Sequence, residues 1–384
     1  MDETLTTKGS DGHSGRTGFS KASLPGKTPK LNSLQAYRGI AALLVLFFHA
    51  SNLSQEKYNY AFLGNIFSFG YSGVDFFFVL SGFIILQMHY QDLNQPSRWR
   101  TYAIKRFIRL FPIFWLVMLF IIPVYFFNPH FGAGYERNVS VIVKSLLLIP
   151  QHHFPVLNVS WTLCHEVWFY LLFLFAIFAP RHLTRLSVAI ITMASFVLWV
   201  LTLTIAKEKS PLTYSYGFAL SSHNLEFALG CLGSYLLRHH RPRHPKFYLI
   251  AGFVWFATAA VFDASLFQYF GNTHRILSYG FPAFLIVVGS VTQELEGRLT
   301  VPRLLTYLGD ASYSIYLIHY PLLSLTAKLV LKFHIVSLLG PFTSVILMIV
   351  LVTAAGGCCY SFIEKPMLET LRKKFLPQPL RNPA

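Results

Sequence analysis

The chain has 384 residues, of which 54% are hydrophobic and 12% charged, with a formal net charge of +16. A soluble domain carries about 25% charged residues, so the composition excludes an ordinary water-soluble protein and predicts an all-α polytopic membrane protein. The positive charge is not a nucleic-acid signature, because basic loops beside apolar segments follow the positive-inside rule and meet anionic lipid. Cys164, Cys231, Cys358 and Cys359 lie in apolar runs without metal-ligand spacing, so neither a disulfide nor a metal site is expected.

Residues 1–30 are rich in Gly, Ser, Thr and Lys and are expected to be a disordered basic tail. They lack the apolar core of a cleaved signal peptide. Residues 31–364 then read as one membrane domain and 365–384 as a basic cytoplasmic tail. A spanning helix needs about 20 mainly apolar residues. Ten segments qualify, at 35–52, 62–88, 104–127, 158–179, 187–205, 216–237, 247–264, 274–291, 307–330 and 338–362. The run 139–149 is too short to span and reads as a re-entrant or interfacial piece. Most of the 32 Lys and Arg residues fall in the tails and in the connections on their side, which predicts cytoplasmic termini.

The first span, QAYRGIAALLVLFFHASN (35–52), carries Arg38 and His49. Ionisable groups in a span are rare and usually functional. Eleven residues make almost three turns, so the two share a face about 16 Å apart along the axis. Arg38 alone could snorkel to lipid phosphates, and His49 alone could be a packing histidine. Together they suggest a channel along this helix, with GIAALLVLFF as its wall and the small Gly39, Ala41 and Ala42 giving room near the entrance.

The second span carries Asp75 and Ser81, the fourth His165 and Glu166, and the sixth Glu226. By the predicted topology Glu166 enters from outside to about the depth of His49, so it can serve as the carboxylate that orients His49 as a general base; Asp75 is the alternative. Arg106 and Arg109 are three apart at the cytoplasmic start of the third span, where they suit a phosphate group or merely obey the positive-inside rule. His319, followed by Pro321, lies in mid-membrane and reads as a packing or gating residue.

Five stretches, LQAYRGIAALLVLFFHA, GVDFFFVLSGFII, the RFIR of KRFIRLFP, WTLCHEVWFYLL and LGDASYSIYLIHYPLL, resemble acyltransferase family 3, the integral membrane O-acyltransferases. The likeness is greatest to exopolysaccharide acetyltransferases. It implies a ten-helix fold in the cell membrane (the cytoplasmic membrane of a bacterium). It implies transfer of an acyl group, expected to be acetyl, from cytoplasmic acyl-CoA to a hydroxyl of a polysaccharide or lipid-linked saccharide. It implies that Arg38 and His49 are essential and that Arg106 and Arg109 belong to a functional motif. The chain departs from many members in having Asn32 and Gln35 before Arg38, where an Asp is common, and His165 before the acid of the fourth span. No hydrolase-type domain follows the last span, so a second transfer step is expected to use another protein, such as a polysaccharide-assembly component. The candidate site is therefore His49, Glu166 and Arg38 for catalysis, Arg38, Arg106 and Arg109 for the donor, and Asp75, Ser81 and His319 for substrate or structural support, with no metal. The alternative is an exporter of a sugar or acyl intermediate, since intramembrane charges and a broken helix also suit transport.

Overall fold

The computed structural model describes residues 31–128, 131–205 and 215–376. The expected N-terminal tail and the end of the C-terminal tail lie outside them. Among the described residues there are helices and no strands. In chain order they are α1 (Asn32–Tyr58), α2 (Gly73–His89), α3 (Trp99–Phe127), α4 (Val139–Leu146), α5 (Trp161–Phe178), α6 (Arg181–Ile205), α7 (Ser215–Ala219), α8 (His223–His239), α9 (Pro245–Val261), α10 (Asp263–Phe270), α11 (Phe281–Leu295), α12 (Arg303–Asp310), α13 (Ser312–Lys332), α14 (Ile335–Cys359) and α15 (Lys365–Phe375).

Eight helical segments among the described residues are long and apolar enough to cross a membrane, and nine if 245–261 and 263–274, bent by 71°, form one broken span. The protein is thus an all-α multi-pass membrane protein. The span expected at 216–237 differs most. Its polar start, Ser221 and Ser222, separates the short α7 from α8, and α8 has only 17 residues. The run at 139–149 forms the eight-residue α4 within a loop. Helix α6 exposes Leu186, Val188, Ile190 and Met193, a surface suited to lipid and not to water.

Lipid tails are as apolar as leucine, so helices in a membrane associate through close packing of small residues. Helices α2 and α8 do this reciprocally. A Cβ on Gly82 would stand 2.0 Å from the Phe227 carbonyl oxygen, and one on Gly230 would stand 2.0 Å from that of Val79. Helix α1 is pinned to α12 in the same way, since a Cβ on Gly309 would stand 1.8 Å from the Gln35 carbonyl oxygen and one on Gly39 2.8 Å from the Gly309 nitrogen. Ala41 and Ala42 are buried, Ala42 in a core with Ala311 and Ile315. The small residues of the first span therefore bring neighbouring helices close and do not widen a channel. The N-terminus of α1, with its unpaired amides, is met by Glu294 at the end of α11, which accepts from the N–H groups of Asn32 (2.7 Å) and Ser33 (2.9 Å). Phe77 of α2 packs against all three apolar cores of the bundle, and beside it lies the principal polar cavity.

Candidate active site

Helices α1, α2, α3, α5 and α13 enclose a cavity of about 120 Å³. Three arginines line it, Arg38 from α1 and Arg106 and Arg109 from α3, together with Ser81, Glu166, Tyr170 and Tyr316. The i, i+3 spacing of the α3 pair and the position of Arg38 nearly two turns into α1 bring all three guanidiniums to one space.

Their surroundings differ. Arg109 is neutralised from behind by Glu364, with 2.6 Å between Nη1 and Oε1. Glu364 is fully buried and also accepts from the Ser314 hydroxyl at 2.6 Å. Arg38 donates from Nη1 to the Gln35 side chain at 3.2 Å. Arg106 lies over the rings of Tyr102 and Tyr170, at 5.5 and 5.3 Å, while its Nε and Nη2 are buried without a hydrogen-bond partner. A charged donor left unpaired in a low-dielectric interior is expensive, which marks these two N–H groups as fitted to an anion.

Glu166 does not meet His49. Its carboxylate accepts from the hydroxyl of Tyr170, one turn further along α5, and it faces the arginine cavity. Matched depth had suggested the pairing, but depth leaves the direction around the helix axis open, and an acid in this interior settles beside the arginines. Asp75 is not free for the role either. It is fully buried and held by Arg275, at 3.0 Å from Nε and 2.7 Å from Nη2. Asp75, His223 and Glu226 place ligand-type atoms within 4.8 Å of one another, close enough for a metal ion. The Arg275 guanidinium already supplies the positive charge beside them.

His49 is outside the wall of the arginine cavity among the described residues. Its ring lies 5.2 Å from that of His319 and 5.1 Å from that of Tyr320, centre to centre. His319 in turn lies 5.5 Å from Tyr316, whose hydroxyl shares a 2.8 Å hydrogen bond with Thr162 of α5 and which lines the cavity. A chain of ring contacts thus leads from the arginine cavity through Tyr316 and His319 to His49.

Sequence reasoning missed Glu364 and Arg275, the partners of Arg109 and Asp75. Glu364 is the last residue of the expected membrane domain, and Arg275 is the second residue of the span expected at 274–291. The signal for each was a single charge abutting an apolar run.

At the start of α5 a second cavity, of about 320 Å³, is lined by Trp161, His165, Phe154, Gln151 and Phe218, among others. Among the described residues, no Asp, Glu, Lys or Arg lines it.

Comparison with known proteins adds the chemistry. The sequence model of acyltransferase family 3, described as an acyltransferase domain, matches residues 31–360. The exopolysaccharide production protein ExoZ of Rhizobium meliloti (strain 1021) is 28% identical over 327 residues, covering 81% of this chain and 93% of that protein. The peptidoglycan O-acetyltransferase OatA of Listeria monocytogenes serovar 1/2a is 26% identical, covering 77% of this chain and 49% of that protein. The O-acetyltransferase OatA of Staphylococcus aureus (strain NCTC 8325 / PS 47) is 24% identical, covering 79% and 53%. The chain thus spans about half the length of the OatA proteins. No solved structure matches it.

Proposed function

The chain belongs to acyltransferase family 3, and from that membership we propose that this membrane O-acyltransferase moves an acetyl group from acetyl-CoA, at the cytoplasmic side, to a hydroxyl of a polysaccharide or its lipid-linked precursor. Membership in an enzyme family displaces the exporter alternative. The observation that carries the reading is the meeting of three arginines in one cavity, with two buried N–H groups of Arg106 unpaired. Guanidinium binds phosphate oxygens through paired N–H groups, and CoA is a phosphate-bearing donor. Arg106 and Arg38 hold its anionic part. Arg109, already bound to Glu364, shapes the cavity and ties α3 to the turn between α14 and α15.

A sugar hydroxyl is a weak nucleophile. His49 removes its proton as the oxygen attacks the thioester carbonyl. The carbonyl–sulfur bond breaks, the sulfur leaves with the electron pair, and the proton held by His49 returns to the thiolate. General-base catalysis of this kind contributes about 10²–10⁴-fold. The second cavity suits the body of the acceptor: Trp161 and Phe154 offer faces for the C–H surface of a sugar ring and Gln151 and three histidines offer hydrogen bonds, while the reacting hydroxyl extends beyond this cavity to His49, which is not on its wall.

The test uses the purified protein in lipid nanodiscs with acetyl-labelled acetyl-CoA. The acceptor is host surface polysaccharide stripped of its O-acyl groups by mild base. Label should appear in the glycan as a base-labile ester, and not with His49→Ala. A folded wild-type protein that binds acetyl-CoA yet labels no glycan would overturn the reading.

A further inference from the structure

His319 has a property that simple packing does not explain. It is fully buried on α13, and its Nδ1 lies 2.6 Å from the Tyr316 carbonyl oxygen. A carbonyl only accepts, so Nδ1 carries the hydrogen. In the neutral imidazole this leaves a lone pair on Nε2. That nitrogen is buried and has no hydrogen-bond partner. The nearby ring able to donate to it is His49, centred 5.2 Å away and tilted by 39°. Among the described residues no carboxylate is hydrogen-bonded to His49, so the usual orienting group is missing where the chemistry needs one.

We propose that His319 is the positioning residue of the catalytic base: its Nε2 accepts the N–H of His49, directly or through one water, and so turns the other His49 nitrogen toward the acceptor hydroxyl. This rests on His49 being the base. The logic is that of a nucleophile–base–orienter set in which the orienter is a neutral histidine fixed by a backbone carbonyl. No proton passes to His319. His49 takes the acceptor proton on its free nitrogen and keeps its original N–H donated to His319 throughout. A neutral orienter suits this place, because a second carboxylate in the apolar interior would need its own cation, as Asp75 needs Arg275 and Glu364 needs Arg109.

Two substitutions separate positioning from packing. The amide of His319→Asn can replace Nδ1 and keep the bond to Tyr316, but it offers nothing at Nε2. The longer side chain of His319→Gln can place an acceptor oxygen near Nε2 and gives up the carbonyl bond. Steady-state transfer is measured in nanodiscs with acetyl-CoA and de-O-acylated host polysaccharide, normalised to protein that is folded by thermal melting. His319→Asn should lower kcat roughly ten- to a hundredfold, the size typical of losing an outer orienting partner, with the KM for acetyl-CoA unchanged. His319→Gln should retain most of the wild-type kcat. The reverse order, with Asn tolerated and Gln inactive, or wild-type kcat in both, would overturn the proposal. His49→Ala is run beside them. An active His49→Ala defeats the base assignment and this inference with it, whereas an inactive His49→Ala with a fully active His319→Asn defeats the inference alone.

Discussion

Arg106 and Arg109 have the same side chain and nearly the same position, yet the structure divides their work. Arg106→Lys keeps the charge but loses the planar pair of donors that is buried without a partner. It should raise the KM for acetyl-CoA about tenfold or more and leave the acceptor KM unchanged, as read from initial rates. Arg109→Ala strands the fully buried Glu364. Removing one partner of a buried pair costs about 3–5 kcal/mol, so its effect should appear as a lower melting temperature and less folded protein. Adding Glu364→Gln to Arg109→Ala should recover part of that loss. Trp161→Ala should weaken the acceptor KM about tenfold and spare the acetyl-CoA KM, whereas equal effects on both would remove the second cavity from acceptor binding.

Helices meet through glycines, and the glycines decide which polar groups become neighbours. The close packing of Gly82 on the Phe227 carbonyl and of Gly230 on the Val79 carbonyl holds α8 against α2, which sets His223 and Glu226 beside Asp75. Gly230→Val would drive its side chain into the Val79 carbonyl, and no rotamer relieves a clash with backbone. We expect a loss of at least about 1–3 kcal/mol, the usual cost of overpacking, measured as a drop in melting temperature in detergent. Wild-type stability would mean that α2 and α8 are not in this contact.

The elements also explain what could be read in advance. Long apolar runs with few charges made most of the spans legible, and 3.6-residue periodicity put Arg106 and Arg109 on one face; that Arg38 joins them in one cavity is a matter of packing that periodicity does not give. The partners Arg275 and Glu364 were not legible, and both adjoin π-helical turns, at Ile276–Gly280 and Tyr360–Glu364. A π turn inserts one residue and rotates the following face by about 100° relative to an α-helix. A reading based on 3.6 residues per turn therefore loses its bearing where these two charges enter the bundle. The expected pairing of His49 with Glu166 is not seen for a related reason: depth along two helices follows from counting residues, but which faces meet depends on packing.

At the scale of the whole molecule, two arginine–carboxylate pairs with fully buried acids join distant parts of the chain. Asp75 and Arg275 are 200 residues apart and Arg109 and Glu364 are 255 apart. These separations have a consequence for biogenesis. Synthesis proceeds at about 5–20 residues per second, so α2 is complete about 10–40 s before its counter-charge exists. During that interval an acid destined for the apolar interior has no partner. The nascent helix carries Asp75 protonated, waits in a hydrated part of the insertion machinery, or holds α2 short of its final place. Final docking becomes a late event, coupled to the arrival of the segment after α10. A chain truncated at residue 261 should accordingly be cleared rapidly in a pulse-chase experiment, and Asp75→Asn should lengthen the lifetime of that fragment while shortening that of the full chain. The order in which the ribosome delivers the charges thus becomes a quality check, releasing into the bilayer only those chains long enough to neutralise themselves.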